Sequence, residues 1–166
     1  MGNAMYVGIE TLFPTTTAGL NILAVDDEAG SRASLAAVLR LAGHHAVFAK
    51  DGDEALEIFE HSGELFDMII TDHQMCRVSG LDLVRELRKR KFAGDIVVLT
   101  AYAGTLEEEE YKKLEIAGIM EKPFDITEMR EWLRCIVAAR KHAAPGAINF
   151  CCVRRAPDEV NLNRRF

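Results

Sequence analysis

Short, unbroken apolar runs recur along this chain, and each one stops at a polar residue. Ile22-Leu23-Ala24-Val25 runs into Asp26-Asp27-Glu28, Ala46-Val47-Phe48-Ala49 leads to the Asp51-Gly52 turn, and Phe66 to Thr71 ends at Asp72. Ile96 to Leu99 then ends at Thr100, and the brief Ile119-Met120 pair precedes Lys122-Pro123. A continuous apolar run, unlike an alternating one, marks a strand covered on both faces.

Helical spacing fills the intervals. Leu35, Val38, Leu39 and Ala42 form one stripe, on a helix predicted from about Ser31 with Gly43 as its stop. Ala55, Ile58 and Phe59 mark a second helix. Leu81, Val84 and Leu87 mark a third, which finishes in Arg88-Lys89-Arg90-Lys91, cations suited to the negative end of a helix. A fourth is predicted from near Thr105, with Glu107 to Glu110 in its first turns. The fifth carries Ile126, Met129, Leu133, Ile136 and Val137 at offsets 0, 3, 7, 10 and 11. Five alternations of covered strand and amphipathic helix predict an α/β fold, a five-stranded parallel doubly wound sheet with helices on both faces.

The 166 residues, 49% apolar and 28% charged, fit one globular domain able to bury a core without disulfide or metal. The periodic part spans residues 20–139. Residues 1–19, with Pro14 and Thr15-Thr16-Thr17, read as a flexible leader. Charge is unevenly spread: residues 1–139 hold 14 Lys and Arg against 24 Asp and Glu, whereas residues 140–166 hold 6 against 2. The acidic body argues against a dedicated nucleic-acid binder, and the basic tail is too short for a DNA-binding domain with its own core. Its stretch Ala147-Ile148-Asn149-Phe150-Cys151-Cys152-Val153 is a candidate to dock on the body or on a second subunit of a homodimer, beside the plainer reading of a disordered basic end. No basic segment precedes Arg32 and no apolar run approaches a membrane span, so the expected location is cytoplasmic, with no membrane partner. Cys76, Cys135, Cys151 and Cys152 have no metal-ligand spacing and read as free thiols. His44, His45, His61, His73 and His142 read as solvated.

Open parallel sheets bind ligands outside the carboxyl ends of their strands. The residues expected there are Asp26, Asp27, Asp72, Thr100 and Lys122. Clustered carboxylates repel and call for a cation, and an all-oxygen ligand set suits Mg2+. With Lys122 as a second positive charge, the set fits phosphoryl transfer onto an Asp carboxylate. Neither a dinucleotide fingerprint nor a phosphate-binding loop follows the first strand.

Asp26-Asp27, the segment Asp72-His73-Gln74-Met75-Cys76-Arg77-Val78-Ser79-Gly80, Thr100-Ala101 and Lys122-Pro123-Phe124 together resemble the signature of two-component response regulator receiver domains, here of the stand-alone, single-domain type. The resemblance covers residues 20–139. It implies a flavodoxin-like sheet in the order 2-1-3-4-5, with Asp72 as phosphoacceptor. Asp27, Asp72 and the backbone carbonyl of Gln74 would ligate Mg2+ directly, Asp26 would act mainly through water, and Thr100 and Lys122 would hold the phosphoryl group. The donor would be a phosphohistidine on a sensor histidine kinase or a histidine phosphotransfer protein. The output would be contact with a downstream protein. Such a module is not an enzyme in the metabolic sense, since it catalyses only its own phosphoryl transfer and autodephosphorylation.

Departures from the family pattern are informative. Cys76 stands where Pro is usual, and Ile119 stands where relatives carry the Tyr or Phe that turns inward as Thr100 moves. The connection from the fourth helix to the fifth strand looks about three residues short. Gln74 and Tyr102 flank the expected path of a hydrolytic water, and Tyr102 is expected to slow loss of phosphate by obstructing it. Two alternatives stand beside the receiver reading: a receiver-like interaction scaffold not switched by phosphorylation, and an Asp-nucleophile phosphatase of the haloacid dehalogenase type. The latter needs an Asp two residues after its nucleophile, where this chain has Gln74.

Overall fold

Strand β1 (Asn21–Val25) lies between β2 (His45–Ala49) and β3 (Met68–Asp72), and β4 (Asp95–Thr100) and β5 (Gly118–Glu121) complete the sheet beyond β3. The computed structural model of the chain describes residues 19–101 and 107–140. Most of the 1–19 leader, Tyr102, the predicted helix start near Thr105, and the tail with His142, Cys151 and Cys152 lie outside those residues. All strand pairs are parallel and the order is β2-β1-β3-β4-β5, so the expected topology is the observed one. β3 and β4 are buried at every position, which is why their sequences read as unbroken apolar runs.

Successive strand side chains point to opposite faces, and that period of two divides the core into halves. On one face, Leu23, Val25, Ile69, Ile96, Val98 and Ile119 pack under α2 (Gly52–Ser62), α3 (Gly80–Lys89) and α4 (Glu107–Lys113). On the other, Ile22, Ala24, Met68, Ile70, Val97 and Leu99 pack under α1 (Ala29–Leu41) and α5 (Ile126–Arg140). Asp51 caps α2 by accepting from the Glu54 N–H, and Ser79 caps α3 by accepting from the Asp82 N–H. Gly43 ends the α1 turn at φ +81°, a left-handed conformation that favours glycine.

Several predicted details change. α1 starts at Ala29, two residues before Ser31. β3 begins at Met68, because a 3-10 turn at Gly63–Leu65 occupies the approach and Phe66 leads out of it. Ile126 is 48% exposed: it is the first residue of α5, ahead of the turn that meets the sheet, and the buried stripe begins at Met129. Trp132 and Leu83, outside the predicted stripes, are buried, and a Cβ on Gly118 would meet the Trp132 ring at 2.6 Å.

The Arg88-Lys89-Arg90-Lys91 run divides by role. Lys89 is exposed and bonds to Glu86 on its own helix. Arg88 is half-buried and donates to four carbonyls: Leu114 at 2.9 Å, Phe92 at 2.6 Å, Gly94 at 3.0 Å and Glu115 at 2.8 Å. One guanidinium thereby ties the α3–β4 connection to the short segment 114–117 between α4 and β5. Burial lowers its pKa, and Glu115 and Asp95 oppose that shift.

The expectation of solvated histidines fits exposed His61 but fails for His44 and His73. His44 is half-buried, and its Nδ1 accepts from the Leu20 N–H at 3.1 Å. Burial, with the neighbouring His45, holds its pKa below the usual imidazole value. Protonation removes the acceptor and favours the unfolded chain, so this contribution is complete above pH about 6.5 and declines as pH falls through that value. His44→Phe is expected to cost about 1–3 kcal/mol by stranding the Leu20 donor. In urea titrations the variant should also show a shallower loss of stability between neutral and acid pH than the wild type.

Candidate functional site

Four strands, β1, β3, β4 and β5, deliver residues at or just beyond their carboxyl ends to one rim of the sheet. Asp26 directly follows β1 and is fully buried, with each carboxylate oxygen engaged. Oδ1 accepts from the Glu28 N–H at 2.9 Å, while Oδ2 accepts from the Ser31 hydroxyl at 2.5 Å and from Lys122 Nζ at 2.7 Å. Its backbone is also held, since Arg32 Nη1 donates to the Asp26 carbonyl at 2.6 Å. Neither Ser31 nor Arg32 was assigned from sequence. Their positions at the start of α1, one turn beyond the acidic pair, are the signal that could have found them.

Asp27 is exposed, and its Oδ2 accepts from the Cys76 N–H at 3.0 Å. That backbone bond does most to lower its pKa; burial opposes it, and the Cys76 thiol and the charge of Lys122 add to the lowering. Hydrogen bonding to Asp27 in turn raises the pKa of the exposed Cys76 thiol, so Cys76 is a loop thiol with no sign of activation. Cys135 is an exposed thiol on α5.

Asp72, the last residue of β3, is 8% exposed. Its Oδ1 accepts from the Gln74 N–H at 3.2 Å and its Oδ2 from Lys122 Nζ at 2.7 Å. Lys122 is thus bonded to Asp26 and Asp72 at once. Burial pulls its pKa down, but the two carboxylates outweigh burial and the net shift is upward, so the ammonium form is secured. Carboxylate oxygens of Asp26, Asp27 and Asp72 lie within 4.8 Å of one another, the one such acidic group among the described residues. Three carboxylates facing one ammonium leave a surplus of negative charge and hard oxygen donors, a set that fits a small divalent cation.

Thr100 ends β4 at the same rim and is 5% exposed, and its carbonyl accepts from the Lys122 N–H at 2.7 Å. Gln74 is exposed in the loop after Asp72. Ile119 is not at the rim: it pairs with Val98 and is buried in the face that α2, α3 and α4 cover. Tyr102, expected to modulate the site, lies outside the described residues.

The loop between Asp72 and α3 folds tightly. Arg77 adopts φ 79° and pairs with Asp53 at 2.8 Å on the surface. A Cβ on Gly80 would meet the Asp72 carbonyl oxygen at 2.2 Å, and the Gly80 N–H donates to the His73 carbonyl at 2.9 Å. The backbone of the candidate acceptor can lie against α3 because position 80 has no side chain.

The model of the response regulator receiver domain matches residues 22–134. The chain belongs to the receiver domain family. Its relatives include the alkaline phosphatase synthesis transcriptional regulatory protein PhoP of Bacillus subtilis (strain 168), 32% identical over 131 residues, which are 76% of this chain and 52% of that protein. Two-component response regulator ARR22 of Arabidopsis thaliana is 32% identical over 107 residues, 63% of this chain and 74% of that protein. Among solved structures, the chemotaxis response regulator CheY4 of Vibrio cholerae is 28% identical with a TM-score of 0.66, covering 72% of this chain and 99% of that one. This receiver spans about half the length of curated relatives such as PhoP. Receivers are signalling modules of two-component systems, characteristically phosphorylated on an Asp, and the family binds Mg2+ at an acidic cluster of this kind. No described helix of this receiver is long and apolar enough to cross a membrane.

Gly80→Ala is expected to destabilise the receiver by about 1–3 kcal/mol, because the added methyl must displace backbone. Chemical denaturation measures this, and an unchanged or raised midpoint would count against the close approach at Asp72.

Proposed function

We propose that residues 20–139 form a phosphorylation-controlled module that accepts a phosphoryl group on Asp72 from a phosphohistidine donor, and that it signals through protein contact. The observation that carries this reading is Lys122 Nζ, placed 2.7 Å from both Asp26 and Asp72 beside the more open carboxylate of Asp27. Asp27, Asp72 and the Gln74 carbonyl would hold Mg2+, with Asp26 contributing through water. That indirect role suits Asp26, whose oxygens are already engaged by Glu28, Ser31 and Lys122. When bound, the ion supplies positive charge against the phosphoryl oxygens.

In the transfer, an Asp72 carboxylate oxygen attacks phosphorus and the phosphorus–nitrogen bond of the donor breaks, with its electron pair returning to the donor imidazole. Lys122 donates to one phosphoryl oxygen and the Thr100 hydroxyl to another, both from the carboxyl rim of the sheet. The partners are a sensor histidine kinase or histidine phosphotransfer protein, then a downstream protein, with a second copy of the chain as a further candidate. The setting is the cytoplasm. No metabolite is turned over: beyond accepting the phosphoryl group, the module catalyses only its loss by autodephosphorylation.

A second reading, an interaction scaffold that phosphorylation does not switch, draws on the buried Ile119 where relatives carry a mobile ring. Incubation with acetyl phosphate and Mg2+, followed by intact mass, separates the two. The receiver reading expects a gain of about 80 Da, lost on chelation of the metal and absent in Asp72→Asn. No adduct in the wild type supports the scaffold, and an adduct that survives in Asp72→Asn counts against Asp72 as the acceptor. Tyr102→Ala is expected to shorten the lifetime of the adduct several-fold, by opening the path of the attacking water.

A further inference from the structure

α4 is joined to the acceptor strand by a contact that no sequence motif announced. His73 follows Asp72, and its backbone is fixed from two sides: its N–H donates to the Leu99 carbonyl at 2.8 Å, and its own carbonyl accepts from the Gly80 N–H at 2.9 Å. So held, the imidazole meets α4, with Nδ1 2.8 Å from the Tyr111 hydroxyl. The two rings sit edge to face, with centroids 5.7 Å apart at 73°. Tyr111 is only 2% exposed and shares its cluster with Val98 and Ile119. A tyrosine hydroxyl buried this deeply is held in a defined direction by its hydrogen bonds.

We propose that the His73–Tyr111 pair is a latch, made in the arrangement described here and released when Asp72 carries a phosphoryl group. The latch presupposes that Asp72 is the acceptor and adds the route by which its state reaches α4. Leu99, whose carbonyl anchors His73, is the residue before Thr100. Movement of Thr100 toward a phosphoryl group on Asp72 therefore pulls on the carbonyl that orients His73, and the imidazole shifts relative to Tyr111. Ile119 has no polar atom with which to report that movement, and the latch supplies one from a different element. α4 is short, Glu107–Lys113, and a further described tie to α3, the ion pair of Arg85 with Glu110, is on the surface, where such pairs contribute little.

A contact made in only one of two states biases their equilibrium by its own net free energy, and the bias acts equally in both directions. A single net hydrogen bond corresponds to about a two- to tenfold change in an equilibrium constant. Removing the latch should therefore tighten binding of a phosphoryl mimic at Asp72 by that factor.

The test uses the full chain with beryllium trifluoride and Mg2+, read by calorimetry and by hydrogen exchange of the α4 amides. Tyr111→Phe keeps the ring in the core and deletes only the hydroxyl. It is expected to bind the mimic about two- to tenfold more tightly, and its α4 amides should exchange without ligand nearly as fast as those of ligand-bound wild type. His73→Phe should tighten binding in the same direction, and the double variant should gain little more, as expected of two residues acting as one pair. A purely structural contact would lower the stability of Tyr111→Phe without tightening binding. Unchanged or weaker binding, fully additive single effects, or wild-type α4 exchange indifferent to the mimic would each overturn the latch. Failure of every protein to bind, or equal binding by Asp72→Asn, would instead sink Asp72 as the acceptor, and the latch with it.

Discussion

The ammonium of Lys122 is the contact on which the acidic rim depends. It joins the end of β5 to a buried Asp beyond β1 and to the last residue of β3, and so connects three of the five strands at their carboxyl ends. Neither carboxylate is comfortable without it. Asp26 is fully buried, and removing one partner of a buried ion pair leaves an uncompensated charge that typically costs about 3–5 kcal/mol. The lysine in turn keeps its proton because two carboxylates outweigh the cost of its burial. On the proposed reading, a site for a dianionic group is thus assembled from groups that already need a positive charge among them. The cation that stabilises the rim is also the one that, in the proposed transfer, would meet an incoming phosphoryl oxygen.

The parallel sheet makes that arrangement economical in sequence. Each strand needs only one or two polar residues after its apolar run, and the common strand direction brings all of them to one edge. Registers of Asp72 with Leu99 and of Thr100 with Glu121 place the terminal residues of β3, β4 and β5 within a residue of one another. Backbone bonds from His73 to Leu99 and from Lys122 to Thr100 continue the ladder past the strands into the loops at the acidic rim.

Much of this was legible in the chain itself. Apolar runs marked the strands because β3 and β4 are covered on both faces, and their polar terminators gave the rim residue by residue. Helix stripes were legible where a helix meets the sheet with a regular period, and failed at ends, as at Ile126. The residues missed share one physical reason. Ser31, Arg88, His44 and Tyr111 act through individual hydrogen bonds, to a nearby carboxylate, to backbone atoms or to a residue distant along the chain, and none of these leaves a period. A cation in a basic run at a helix end looks the same whether it pairs with surface carboxylates, like Lys89 and Arg90, or meets four carbonyls, like Arg88.

That guanidinium also decides what kind of motion α4 can have. Arg88 holds the carbonyls of Leu114 and Glu115, immediately beyond the last residue of α4, while Phe92 and Gly94 fix the same group to the approach of β4. The C-terminal end of the helix is pinned to the body of the sheet. Any rearrangement of α4 would therefore have to swing about that pinned end unless the four Arg88 bonds break.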